Sequence, residues 1–151
     1  MSKGSLSSKE QAVWHALKRL GEGVLARVGA EIEAATQMSG ADFAILSRLE
    51  ELGSGTLSQQ SLIQSLNWEK SRLSHQLTRM EARALVARVA ASSGRSVDVN
   101  LLDAGARAIE KARPVHVHAV RSMLKEISEE EQKMLVALMD RLEAIRPVEP
   151  T

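Results

Sequence analysis

Three features place this chain in a mainly α class with one small β-hairpin. Apolar residues recur at three- and four-residue steps along most of its length, while two short runs past the middle alternate instead. Aromatic residues are scarce, with one Phe, two Trp and no Tyr in 151 residues, so the core must come from Leu, Val, Ile, Ala and Met, which suits helices. The order of the elements sharpens the class. A short helix, a tight turn, a second helix with a polar outer face and then the hairpin read as a winged helix-turn-helix lobe set between N- and C-terminal helices.

The first helix is predicted over residues 8–37. Val13, Leu17, Leu20, Val24 and Val28 make its stripe, and Leu25 and Ile32 widen it. Gly21, Gly23 and Gly29 each weaken an isolated helix by roughly 1 kcal/mol relative to Ala, so packing has to hold it. Trp14 is expected as a core or interface aromatic. After the break at Ser39-Gly40, Phe43, Ile45, Leu46, Leu49 and Leu52 mark a helix over 41–52, and Gly53-Ser54-Gly55 stops it. Ser58 is a good N-cap for a short helix over 59–66, whose apolar residues are Leu62, Ile63 and Leu66.

Asn67-Trp68 then turns the chain into NWEKSRLSHQLTRMEARALV, residues 67–86, the stretch around which the rest is organised. Leu73, Leu77, Met80 and Ala84 form its apolar stripe. At about 100° per residue, Ser71, His75, Thr78 and Ala82 fall opposite, with Arg72 and Arg79 on one flank. Short polar side chains that permit close approach, beside guanidinium groups that meet base edges and phosphates, suit a helix that fills a DNA major groove. A merely solvated amphipathic helix shows the same pattern, and the residues after Val86 decide between the two. Trp68 is expected to plug the angle between the two helices.

Val86–Ala90 and Val97–Leu101 both alternate with period two, joined by a small polar turn, Ala91 to Ser96. A hairpin directly after the second helix is the order of a winged helix. Arg95, at its tip, is positioned to enter a narrow minor groove or meet phosphate. From Asp103 the pattern is helical again as far as Leu124, and Pro114 inside it is expected to kink or interrupt the helix. Ser128 followed by Glu129, Glu130 and Glu131 caps the last helix. Met134, Leu135, Leu138, Leu142 and Ile145 form its stripe, and Pro147 ends it.

Net charge is +1 overall, yet residues 67–101 hold six Lys/Arg against three acids. That modest patch fits phosphate contact, whereas a nonspecific chromosome-coating protein would be far more basic. The absence of Cys excludes a disulfide framework, a thiolate metal site and a thiol redox sensor. His116 and His118 are two apart and so lie on different sides of a helix, where a shared metal wants three or four, and no metal or other cofactor is expected. No Ser/His/Asp set, paired-carboxylate motif or phosphate loop appears, so no enzyme is expected. No apolar run approaches membrane-spanning length and the first ten residues do not read as a signal peptide, which predicts a soluble, cytoplasmic protein.

With these elements in place, residues 13–145 resemble the multiple-antibiotic-resistance-regulator (MarR) family of bacterial transcription factors. The carriers are KSRLSHQLTRMEARALVAR, the wing SGRSVDVNL, the Asp103-Ala104-Gly105 helix start and ARPVHVHAVR at residues 112–121. The resemblance implies a single domain over 1–151, with the winged helix-turn-helix lobe at 41–101 and dimerisation helices at 8–37 and 103–146. It further implies a homodimer whose lobes grip successive major grooves of double-stranded DNA at a near-palindromic operator. By helix geometry and by resemblance, base-edge contacts are assigned to Ser71, Arg72 and His75, and backbone contacts to Lys70, Ser74, Arg79 and Arg95. Ser58 and Gln59 are further candidates as phosphate ligands at a helix N-terminus.

The resemblance also implies that DNA is released when a small molecule, often aromatic or anionic, binds between the dimer helices and the lobe. Trp14, His15, His116 and Arg121 are the candidate contacts. The expected function is a sequence-specific repressor, and the alternative is a helical protein-interaction module with weak or lost DNA binding. Three residues depart from the family pattern. Ser93 stands where an Asp commonly orients the wing Arg. Leu102 replaces the usual capping Thr, leaving Asp103 as the expected cap, and Ala84 replaces the Gly that ends the recognition helix.

Overall fold

A computed structural model describes residues 4–145. The elements run α1 (Ser8–Thr36), α2 (Gly40–Gly53), β1 (Thr56–Ser58), α3 (Gln59–Leu66), α4 (Lys70–Ala82), β2 (Val86–Ala90), β3 (Val97–Leu101), α5 (Asp103–Leu124) and α6 (Glu129–Glu143). The chain divides into two compact units within α5, the first ending at His116 and the second starting at Val117. No helix among the described residues is long and apolar enough to cross a membrane.

Local chemistry sets the helix starts. Ser7 with Glu10, Ser39 with Asp42 and Ser128 with Glu131 each form a reciprocal capping box, in which the hydroxyl takes the N3 amide and the acid takes the cap amide. Ser58 caps α3 by accepting from the Ser61 N–H at 3.0 Å. At α5 the sequence points to Asp103 as the cap, and the structure corrects it. The Leu102 carbonyl accepts the first helical bond, from the Ala106 N–H at 2.9 Å, which puts Asp103 inside the first turn. There its carboxylate faces the positive end of the helix dipole without capping. The helix then runs unbroken through Pro114, so the proline removes one N–H donor without interrupting it.

The hairpin is part of a larger sheet than the sequence suggested. β1 adds a third strand in the order β1-β3-β2, all antiparallel, with Leu57 opposite Val99 and Arg88 opposite Val99 on the other side. Three residues between a stop signal and a cap are too few to show alternation, so β1 is set by its partner strand.

The first unit holds one continuous core. Ile45, Leu46 and Leu49 of α2 meet Leu62 of α3, Leu73, Leu77 and Met80 of α4, Val86 and Val99 of the sheet, and Ile109 and Ala112 of α5. Two glycines serve close approach. A Cβ on Gly29 would lie 3.2 Å from Gly40 Cα, where α1 and α2 touch. A Cβ on Gly105 would lie 2.2 Å from the Leu85 carbonyl oxygen, so only glycine lets α5 start against the end of the α4 segment. The same carbonyl accepts the Leu102 N–H at 3.0 Å.

The terminal helices behave differently. Val13, Leu17, Leu20 and Leu25 of α1 are exposed, and Trp14, at 52% exposure, is not a core residue. In the second unit α6 buries nothing: Met134 is 67% and Met139 54% exposed. Ile145 lies beyond the helix, which ends at Glu143, and Pro147 falls outside the described residues.

Candidate nucleic-acid interface

α4 separates its faces as the 100° rule requires. Leu73, Gln76, Leu77 and Met80 are buried, while Lys70, Ser71, Arg72, His75, Thr78, Arg79 and Ala82 are exposed in one row. Ala84 does not continue the stripe. It sits past the helix end at φ 56°, donating to the Glu81 carbonyl at 2.9 Å, while the Leu85 N–H reaches the Met80 carbonyl at 3.0 Å. These two bonds are a Schellman closure, so the left-handed termination survives although Ala carries strain that Gly would not. The closure swings Leu85 into the core. α3 ends the same way, with Asn67 at φ 52° and the Trp68 N–H bound to the Ile63 carbonyl at 3.3 Å.

Trp68 packs half-buried against the core at this turn, as expected for a residue that fills the angle between α3 and α4. Its ring also carries the Arg72 guanidinium, whose central carbon stands 4.0 Å from the ring centroid. Arg72 makes no hydrogen bond or ion pair among the described residues.

Two polar networks missed by the sequence reading hold α4 in place. Asp42, only 1% exposed, accepts from Gln76 Nε2 at 2.7 Å and from Arg83 Nη1 at 2.6 Å, while also closing the α2 capping box. Arg79 in turn donates to Gln76 Oε1. A buried carboxylate in this position needs every one of those donors. On the other side of α4, Arg88 of β2 grips Glu81: its backbone N–H and Nε donate to Oε1 at 2.7 and 3.1 Å, and Nη2 donates to Oε2 at 3.0 Å. Arg88 also reaches Thr78 Oγ1 at 2.9 Å and Ser74 Oγ at 3.4 Å. These hydrogen bonds hold the Glu81 carboxyl below the usual carboxylate range. Strand β2 is thereby tied to α4, not hung beside it.

Of the other candidates, Arg95 is exposed at the wing tip, on the turn closed by Ala91 N–H to Ser96 O at 2.9 Å with Gly94 at φ +69°. It too has no ion-pair or hydrogen-bond partner among the described residues, and Ser93 does not orient it. Ser58 is half-buried and spends its hydroxyl on Ser61, donating to Ser61 Oγ at 2.8 Å, and Gln59 beside it is half-buried. Ser74 is half-buried under Arg88.

The candidate effector residues sit on α1 and α5. Trp14 and His15 lie on the exposed first half of α1, with Lys18 Nζ 5.6 Å from the Trp14 ring. His116 stacks on Phe43 at 4.6 Å between centroids, and burial, with the Arg113 charge second, pushes its pKa down. Arg121 belongs to the second unit and is exposed. A cavity of about 250 Å³ lies elsewhere, walled by Arg83, Arg107 and Lys111 over Met38, Ala104 and Ala108. Among the described residues no cluster of three or more His, Asp or Glu is arranged to hold a metal ion.

No family model matches the chain. Its fold is that of Sco3205 from Streptomyces coelicolor, a MarR family transcriptional regulator solved in complex with DNA, with a TM-score of 0.83, 26% identity and 97% and 94% of the two chains covered. AbsC of the same organism, also a MarR family regulator, gives a TM-score of 0.80 at 26% identity over 93% and 95% of the chains. By sequence, 130 residues are 31% identical to the HTH-type transcriptional regulator PecS of Dickeya dadantii (strain 3937), covering 80% of this chain and 78% of PecS. The chain belongs to the MarR family of transcriptional regulators. Membership explains why Gly105 and the Gly94-Arg95 pair stand out in this sequence. The first admits α5 against Leu85, and the second shapes the wing turn of a MarR regulator. It also fixes the class of activity: a regulator, not an enzyme.

Proposed function

We propose that this MarR regulator is a homodimeric repressor that binds near-palindromic operators in double-stranded DNA and leaves them when a small anion binds. The observation that carries the reading is the row on α4: Ser71, Arg72 and His75 lie exposed at the helix's leading half, the part that meets base edges in a helix-turn-helix. Lys70 and Arg95, both exposed, and the partly engaged Ser74 and Arg79 supply backbone contacts, with Ser58 and Gln59 at the rim. The DNA complex of Sco3205 supports the same use of the fold.

Pairing of two copies is supported by the exposed apolar residues on the first half of α1, Val13, Leu17 and Leu20, and on α6, Met134, Met139 and Leu142. Two half-sites then lie roughly 10 base pairs apart. Effector response is supported by the cavity at Arg83. Three cations over an apolar floor suit a small carboxylate with an apolar body, aromatic or aliphatic. Such an anion competes with Asp42 for Arg83 and so loosens the tie between α2 and α4. The work is done in the cytoplasm, where the chromosome is.

Selection of bound sequences from random duplex DNA, followed by salt-dependent affinities of wild type and Arg72→Ala, tests the reading. Enrichment of a palindrome that Arg72→Ala weakens selectively is expected. Weak binding with no enriched sequence, lost in moderate salt, would instead identify a protein-interaction module.

A further inference from the structure

We infer that Trp68 is a specificity-determining positioning residue, acting through Arg72. The inference rests on α4 being the base-reading helix. Trp68 sits one helical turn before Arg72, with its indole packed against the core. A long Arg side chain at an exposed position ordinarily samples many rotamers, and a mobile guanidinium meets phosphates as readily as bases. Here the guanidinium lies on the face of the indole, 4.0 Å from its centroid. Held over the ring, the guanidinium makes no hydrogen bond to any other described residue, so its N–H donors stay available. Those donors are what a guanine O6/N7 pair accepts, in one plane and at one angle.

The origin of the arrangement is local. The Schellman closure at Asn67 fixes the Trp68 backbone, and the core fixes its ring, so the platform is rigid before DNA arrives. The companion at the wing, Arg95, has no such platform and suits groove or phosphate contact. One helix thus carries a held arginine, and the wing a free one.

Operator duplexes with each guanine changed in turn give a discrimination ratio at each position, and Arg72→Ala identifies the guanine that Arg72 reads. At that position Trp68→Met, which keeps apolar bulk but removes the ring, is expected to cut discrimination about three- to tenfold. Trp68→Phe is expected to keep most of it, and Trp68→Met to add nothing in the Arg72→Ala background. The salt slope should be unchanged, because no phosphate contact is lost. Uniform loss at every position, equal loss in the Phe and Met variants, or a further loss on top of Arg72→Ala would overturn the inference. In case Trp68→Met does not fold, a second readout leaves Trp68 in place. In a Trp14→Phe background, Arg72→Ala should change Trp68 fluorescence in the free protein, and no change would count against the stack. If no operator is enriched at all, the proposed function falls and takes this inference with it. An operator read equally well without Arg72 or Trp68 would remove this inference alone.

Discussion

The winged-helix core, α2 through β3, and two outer stretches, the first half of α1 and the whole of α6, are written in the same apolar code and end in opposite conditions. Leu73, Leu77 and Met80 of α4 are wholly buried, whereas the corresponding stripe residues of α6 include Met134 at 67% exposure. A helical stripe announces that a face will be covered, not what covers it. Inside the winged-helix core the partner is the same chain, so the core closes and its polar networks close with it. Val28 and Ile32 at the C-terminal end of α1 join that core, but Val13, Leu17 and Leu20 of α1 and the stripe of α6 stay exposed, and a second copy is the proposed partner.

Substitutions can break this contrast, beginning with the largest effect. Leu77→Ala should destabilise by about 3 kcal/mol, measured by urea unfolding at constant protein concentration, because it empties a site surrounded on every side. A cost under ~1 kcal/mol would mean that the core is not closed there. Asp42→Ala should cost about 2 kcal/mol, since it removes one half of a capping box and leaves Gln76 and Arg83 without their acceptor. Half-exposed Arg83 can turn to water, which keeps the figure below that of a fully buried pair.

Ala84→Gly should act in the other direction. It relieves a left-handed alanine and is expected to stabilise by about 1 kcal/mol with operator affinity unchanged. A lower urea midpoint would show that the closure is unstrained. The smallest effect is that of His116. Its folded pKa lies below the usual imidazole value, so the neutral form is favoured in the fold and stability is fully present above that usual value. Stability should therefore decline as pH falls through the range below about 6.5, and His116→Gln should flatten that slope.

Much of this was legible in the residues themselves. Helix limits followed from Ser58, Ser128 and the glycine stops, both hairpin strands from their alternation, and the row on α4 from its angular spacing. Strand β1 was hidden because its pairing partner lies far along the chain. Likewise, Asp42 and Arg83 are 41 residues apart and Glu81 and Arg88 seven, separations with no local signature, so the clamps on α4 appear only once the core has closed. For the same reason the angular spacing placed Arg79 and Ser74 on the interface but did not show that Gln76 and Arg88 already engage them. Trp14, His15, His116 and Arg121 were put forward for an effector on the family resemblance and residue type, and the Arg83, Arg107 and Lys111 cavity left no mark in the sequence because its lining comes from separate parts of the chain.

The contrast between closed core and open terminal helices is tested most directly by sedimentation equilibrium of the free protein over a wide concentration range. Wild type is expected to sediment at twice the 16.5 kDa chain mass, and Leu20→Glu with Met139→Lys, which charges both exposed faces, should shift it toward the single-chain mass without unfolding it. A wild-type chain that stays at the single-chain mass at every concentration would contradict the proposal that a second copy covers α1 and α6.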